Sequence, residues 1–305
     1  MRGFAKALLG LAAAGASMGA PAQVVSIRPV PSVEASANVS YVGDTNSAFS
    51  TDGIPGSALA TAAVGPGGSA FSLPVIGPVN DESSATARAL VPGTVGSRSI
   101  AGGFSPSAGP GGATEASSFA RQVTDWQVVS NDASVTTADI DVLAFFDGTL
   151  ATLDFAGAPM SASVHAEMNV YSAAGMMNVF TADATLSDPL GLSGSANWIG
   201  DFSYSAPSFA AQVATVNYND FFEDAFTVTV GETFAWEVIL STTATVAGPF
   251  EILAGADFLN TGSGGLSVNS PGLTLVQVSA VPEPPIWLAM LLGLPLLYRR
   301  RISGA

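Results

Sequence analysis

From about residue 120 onward, apolar and polar side chains alternate with a period of two, in short segments separated by Gly, Asp, Asn and Ser. Val164, Ala166, Met168 and Val170 alternate with His165, Glu167, Asn169 and Tyr171, which predicts a strand with one face in a core and the other in water. A turn at Ser172–Gly175 leads into a second segment, Met176–Leu186. Ile140–Phe146 and Thr149–Phe155 flank Asp147-Gly148, a dipeptide suited to a two-residue hairpin turn, so a β-hairpin is predicted there. Phe222–Val230 and Thr233–Leu240 flank Gly231-Glu232, with Phe226, Val228 and Val230 expected to face the same core as Phe234, Trp236, Val238 and Leu240. Ala254–Leu259, Gly265–Val268 and Leu273–Val278 add three further strands. Short strands with regular turns predict an all-β, jelly-roll-like β-sandwich over residues 115–280. No internal repeat is visible, which argues against a solenoid.

Residues 23–114 give weaker signals. Gly65-Pro66-Gly67-Gly68 and Ala108-Gly109-Pro110-Gly111-Gly112 are loop punctuation, and Ala35–Val42 alternates small and polar residues as a strand would. This region is expected to hold loops and short strands, some of them recruited by the sandwich. Composition agrees with a β-rich chain: charged residues are 11%, and Lys, Glu and Gln, usual fillers of helical faces, are scarce.

Both ends break the pattern. Arg2 and Lys6 precede the apolar run Ala7–Ala16, and Ala20 and Ala22 place small residues at −3 and −1 of a cleavage site before Gln23. That order predicts a secretory signal peptide over residues 1–22, cut by signal peptidase. At the other end, residues 281–305 hold Pro282-Glu283-Pro284, an apolar stretch at 286–298, and Arg299, Arg300 and Arg301. Thirteen residues of helix reach about 20 Å, short of a hydrocarbon core of about 30 Å, and Pro295 weakens that helix. The Arg cluster stops the chain with its end in the cytoplasm and the body outside. The expected element is a provisional anchor in the inner membrane.

Taken together, Val281-Pro282-Glu283-Pro284, the Trp-containing apolar stretch with Leu291-Leu292-Gly293, and the Arg cluster resemble the PEP-CTERM sorting signal. The resemblance implies a Gram-negative bacterium that makes exopolysaccharide. It also implies an exosortase that processes the chain at the triplet Pro282, Glu283 and Pro284, and a cell-surface or extracellular destination. Pro285 stands where a small residue is more usual in that family. Phe226-Thr227-Val228-Thr229-Val230-Gly231 and Ala256-Asp257-Phe258-Leu259-Asn260-Thr261 are similar to the β-sandwich domains of such exoproteins, a likeness that implies a fold and no activity.

Charge and chemistry narrow the function classes. Between the two end signals lie four basic residues, Arg28, Arg88, Arg98 and Arg121, against 23 acidic ones, a net charge of about −19. Such a body repels phosphate backbones, so no nucleic-acid partner is expected. Cysteine is absent and His165 is the single histidine, with no Gly-x-Ser-x-Gly elbow, so nucleophilic triads and zinc or redox-metal sites lack their residues. Asp139 and Asp141 would project from one strand face about 7 Å apart, a poor arrangement for gripping a sugar from both sides. No cofactor is expected beyond a structural calcium, for which Asp44-Thr45-Asn46, Asp52, Asn217–Asp220 and Glu223-Asp224 offer oxygen ligands. Trp126, Trp198 and Trp236, with five tyrosines, offer rings for a sugar-stacking platform; Trp236 belongs to a core register, and Trp198 is the better candidate for exposure. The expected protein is a non-enzymatic, exosortase-processed surface or matrix protein. The alternatives are a polysaccharide-binding module, calcium-assisted or not, and an ice-binding protein, which would need a flat, regular Thr or Ala face.

Overall fold

The computed structural model describes residues 29–278, apart from short connections at 42–43, 54–56, 65–70, 74–76, 80–82, 91–93, 104–112, 155–158, 189–190, 195–200, 209–210 and 248–251. The cleavage-site residues Ala20 and Ala22, the triplet Pro282, Glu283 and Pro284, the apolar stretch 286–298, Arg299, Arg300 and Arg301, and Trp198 lie outside the described residues. Among the described residues every regular element is a strand, and no helix is long and apolar enough to cross a membrane.

Two antiparallel sheets carry nearly all of them. The first runs β12 (Gly191–Gly194), β11 (Gly175–Asp188), β10 (Met160–Ser172), β15 (Thr233–Ala247), β8 (Ala113–Ser130), β1 (Ser32–Tyr41), β2 (Asp44–Gly53), and β17 (Leu273–Gln277) also pairs with β8. The second runs β13 (Asp201–Ser208), β14 (Ala211–Thr229), β9 (Thr137–Asp154), β16 (Ile252–Ser267), β7 (Thr94–Gly103), β6 (Ser83–Leu90), β3 (Ser57–Val64). A small ribbon pairs β4 (Phe71–Leu73) with β5 (Gly77–Val79). The all-β expectation therefore holds, as two packed sheets.

The period-two pattern decides which side chains enter the core. In β10, Met160, Ala162, Val164, Ala166, Met168 and Val170 are buried between the sheets, and the residues between them, Asn169 apart, are at most half-buried. β14 and β15 belong to different sheets, and the turn at Val230-Gly231, with Gly231 at φ +85°, carries the chain from one to the other. Phe226 and Phe234 then meet edge to face at 5.6 Å, so the shared core expected of these segments forms by a crossing between sheets. An aromatic pair of this kind contributes about 0.5–1.5 kcal/mol beyond its buried area.

One turn prediction fails. β9 passes straight through Asp147-Gly148, with Asp147 opposite Asn217 and Gly148 opposite Val216. Glycine is needed there for space: a Cβ at 148 would fall against the ring of Phe258, 2.5 Å from its Cγ and Cε1. The segments 254–259 and 265–268 are likewise parts of one strand, β16, which slips its register between Phe258 and Gly262.

The core is graded in size. Around β9, β11, β14 and β15 it holds Phe146, Phe180, Tyr218, Phe234 and Trp236, with Phe146 and Phe180 stacked at 5.6 Å. Around β1, β3 and β6 it is lined by Ala35, Ala37, Ala58, Ala60, Ala62, Ala85, Ala87 and Ala89, all essentially inaccessible. Side chains this small fill the gap only if the sheets approach closely, so the sandwich tapers toward its β2–β3 side.

Candidate ligand-binding face

Because β1, β8, β10, β11 and β15 turn one set of alternate residues inward, the other set forms the outer face of the first sheet. Register across that face runs Ser47, Asn38, Ser117, Thr243, Ser163, Thr185 and Ser193, one hydroxyl or amide side chain from each of seven strands. A second row reads Thr45, Ser40, Glu115, Thr245, Ser161 and Ser187. Neighbouring strands stand about 4.8 Å apart and same-face residues about 6.7 Å apart along a strand, so these groups form a near-rectangular array. Ser161 Oγ and Thr245 Oγ1 are 2.8 Å apart within it.

At the β2 side the array dips into a cavity of about 320 Å³ lined by Asn38, Val39, Ser40, Thr45, Asn46, Ser47, Glu115 and Ser117. Asn46 is fixed at its rim, its Nδ2 donating to the Ala63 carbonyl at 3.0 Å. The cavity offers several hydroxyl donor-acceptors, two amides and one carboxylate on a backbone already ordered by strand pairing.

Farther along the middle strands β1, β8, β15 and β10, a charged network borders the array. Arg121 Nε donates to Glu237 Oε1 at 2.5 Å, and Nη1 to Glu34 at 3.3 Å. The Glu237 side chain is only 3% exposed, and its second oxygen accepts from Asn169 Nδ2 at 2.9 Å and the Tyr171 hydroxyl at 2.7 Å. Burial alone pulls the Arg121 guanidinium down, but the hydrogen bond and charge of Glu237, helped by Glu34, hold it above its ordinary value. Burial, then the Glu237 hydrogen bond, pushes the Tyr171 hydroxyl up to about 12. Asn169 is buried because it belongs to this network, which explains its departure from the β10 alternation.

The candidates from sequence are scattered over the fold. His165 lies on the outer face of β10, its Nδ1 2.7 Å from Asp183 and its Nε2 3.5 Å from Glu167. Asp139 accepts from Thr227 Oγ1 at 2.6 Å; Asp141 is buried and accepts from the Asp224 amide at 2.9 Å and from Asn269 Nδ2. Asp224 sits at φ +49° where β14 slips on β9 between Phe222 and Phe226, so Asp141 clasps that bulge. Thr45 and Asn46 line the cavity, whereas Asp52 falls farther along β2 and Asn217–Asp220 within β14. Among the described residues no group of three or more His, Asp or Glu is placed to hold a metal ion. Trp236 is buried, and Trp126 packs at the core edge with Nε1 donating to Thr124 at 2.8 Å.

Sequence reasoning passed over the hydroxyl array and the Arg121–Glu237 pair. The signal for the first was available in Ser161 and Ser163, in Ser241, Thr243 and Thr245, and in Ser36, Asn38 and Ser40, each a polar residue at every second position.

No family model matches the chain, and no curated protein does. Among solved structures it is compared with the structure of infectious bursal disease virus Gx strain, at 11% identity over 91% of this chain and 75% of that one, with a TM-score of 0.12. A likeness of that size carries no argument about fold or function.

Proposed function

We propose that this is an exported, exosortase-processed surface or matrix protein of a Gram-negative bacterium, a jelly-roll-like sandwich with no enzymatic activity. The observation that carries this is the pairing of end signals around an acidic, cysteine-free body: basic start, apolar run and Ala20-x-Ala22 at one end, Pro282-Glu283-Pro284, apolar stretch and Arg299–Arg301 at the other. Signal peptidase removes residues 1–22. The apolar stretch over 286–298 then halts in the inner membrane and presents the triplet to the exosortase. Replacing Pro282, Glu283 and Pro284 with alanine is expected to leave the tail attached and the protein in the membrane fraction. Unchanged processing and location in that variant would overturn the proposal.

A second reading is favoured by the outer face of the first sheet. Rows of hydroxyls and amides ending in a polar cavity suit a neutral, polyhydroxylated chain, which exchanges hydrogen bonds with such groups without needing charge. In this reading the protein binds exopolysaccharide along that face. Binding to a glycan array, with and without calcium, that is lost in Ser117→Trp supports it; no binding under either condition argues against it.

A further inference from the structure

The two ends of the described body meet on one strand. β17 runs antiparallel to β8, from Leu273 opposite Ser130 to Gln277 opposite Trp126, and Val278 donates its N–H to the Asp125 carbonyl at 2.8 Å. β1 begins where β17 stops: Ser32 lies opposite Val123, and the strand continues to Tyr41 opposite Thr114. β15 occupies the other edge of β8 from Ala113 to Gln127. β17 and β1 therefore share one edge and one direction, with only Thr124 between the β8 residues they contact. They form in effect one broken strand, and the break is the pair of chain ends.

The lengths of chain beyond this point are short. Three residues separate Val278 from Pro282, which cannot lie more than about 14 Å from it even when fully extended. Ten residue steps separate Ser32 from Ala22, a reach of roughly 35 Å. The C-terminal processing point is thus tied to this end of the sandwich, while the N-terminal one starts from it on a longer leash. Val30, Val129 and Val276 are exposed around it. The cavity lies at the opposite end: Glu115, in its lining, is nine residues along β8 from Thr124, roughly 30 Å at strand rise.

We propose that β8 is a mooring strand, which gathers both chain ends at one pole so that the protein is held there and presents its Ser40–Thr45–Glu115 cavity at the other. The orientation rests on reading the two ends as export and sorting signals; the meeting of the ends does not. It gives the cell-surface proposal a direction, with the polar cavity turned away from the membrane and toward the surrounding matrix.

The absence of cysteine makes the test clean. In the purified full chain, Ser32→Cys with Val278→Cys should be joined within one molecule by a short bis-maleimide. Thr45→Cys with Val278→Cys, at opposite poles, should be joined many-fold less. Equal joining of the two pairs overturns the shared pole. On intact cells, a bulky membrane-impermeant maleimide should label Thr45→Cys several-fold faster than Val276→Cys, although both positions are exposed and label at similar rates in the purified protein. Equal rates on cells, with the first pair still joined, overturn the orientation and leave the meeting of the ends standing. Full-length, unprocessed mass in the same cells overturns the sorting reading itself.

Discussion

The ring of Phe258 lies across Gly148, its Cγ and Cε1 2.5 Å from where a Cβ at that position would stand. Any side chain at 148 must push the ring aside or bend β9, and overpacking of this kind costs about 1–3 kcal/mol. Gly148→Ala is expected to lower the urea unfolding midpoint without changing the slope, and Gly148→Val to lower it further. Loss of neither variant's stability would show that the ring moves freely.

That contact also shows how much was legible. The alternations in β10, β14 and β15 were readable because large apolar residues stood at every second position and the opposite face was polar. Asp147-Gly148 was misread because its dipeptide chemistry is the same whether glycine serves a turn or makes room for a ring; the ring is supplied by a residue far along the chain. β3 and β6 were hidden for a different reason. Their inward residues, Ala58, Ala60, Ala62, Ala85, Ala87 and Ala89, alternate faithfully but are too small to register as hydrophobic without the tapering partner sheet. The hydroxyl rows needed the register of seven strands, which no single segment contains.

Glu237 is a carboxylate with almost no access to water, held by Arg121, Asn169 and Tyr171. Removing one partner of such a pair leaves an uncompensated buried charge, at a cost of about 3–5 kcal/mol. Arg121→Ala is expected to destabilise the fold on that scale. Glu34→Gln, which removes a half-buried partner at 3.3 Å, should cost no more than about 1 kcal/mol. Denaturant unfolding of the two variants side by side checks the order, and equal effects would contradict it.

Tyr171 and Tyr218 are both held up to about 12, chiefly by burial, then for Tyr171 by the hydrogen bond to Glu237 and for Tyr218 by the charge of Asp220. The folded state therefore keeps protons that the unfolded chain loses near 10.0, the ordinary value. Stability from this source is complete below about pH 10 and is lost as pH rises through about 12. Phenolate absorbance should show these two rings ionising late, and Tyr171→Phe should make the alkaline loss of stability shallower. Ionisation of both rings near pH 10 in the folded protein would contradict the assignment.

Gln122 points into the core at 1% exposure, and neither of its amide atoms has a hydrogen-bond partner among the described residues. A buried polar group left unpaired costs about 1–3 kcal/mol, so replacing it with an apolar side chain of similar length should help. Gln122→Met is expected to raise the unfolding temperature. A lower one would mean that the amide is paired after all.

The claim on which the rest depends is that this chain is exported and processed at both ends. The intact mass of the protein recovered from the cells that make it tests this directly. The expected species begins at Gln23 and ends at or just beside Pro282-Glu283-Pro284, with or without an added group at the new end. A mass that still includes Met1 to Ala305, uncut at either end, would contradict it.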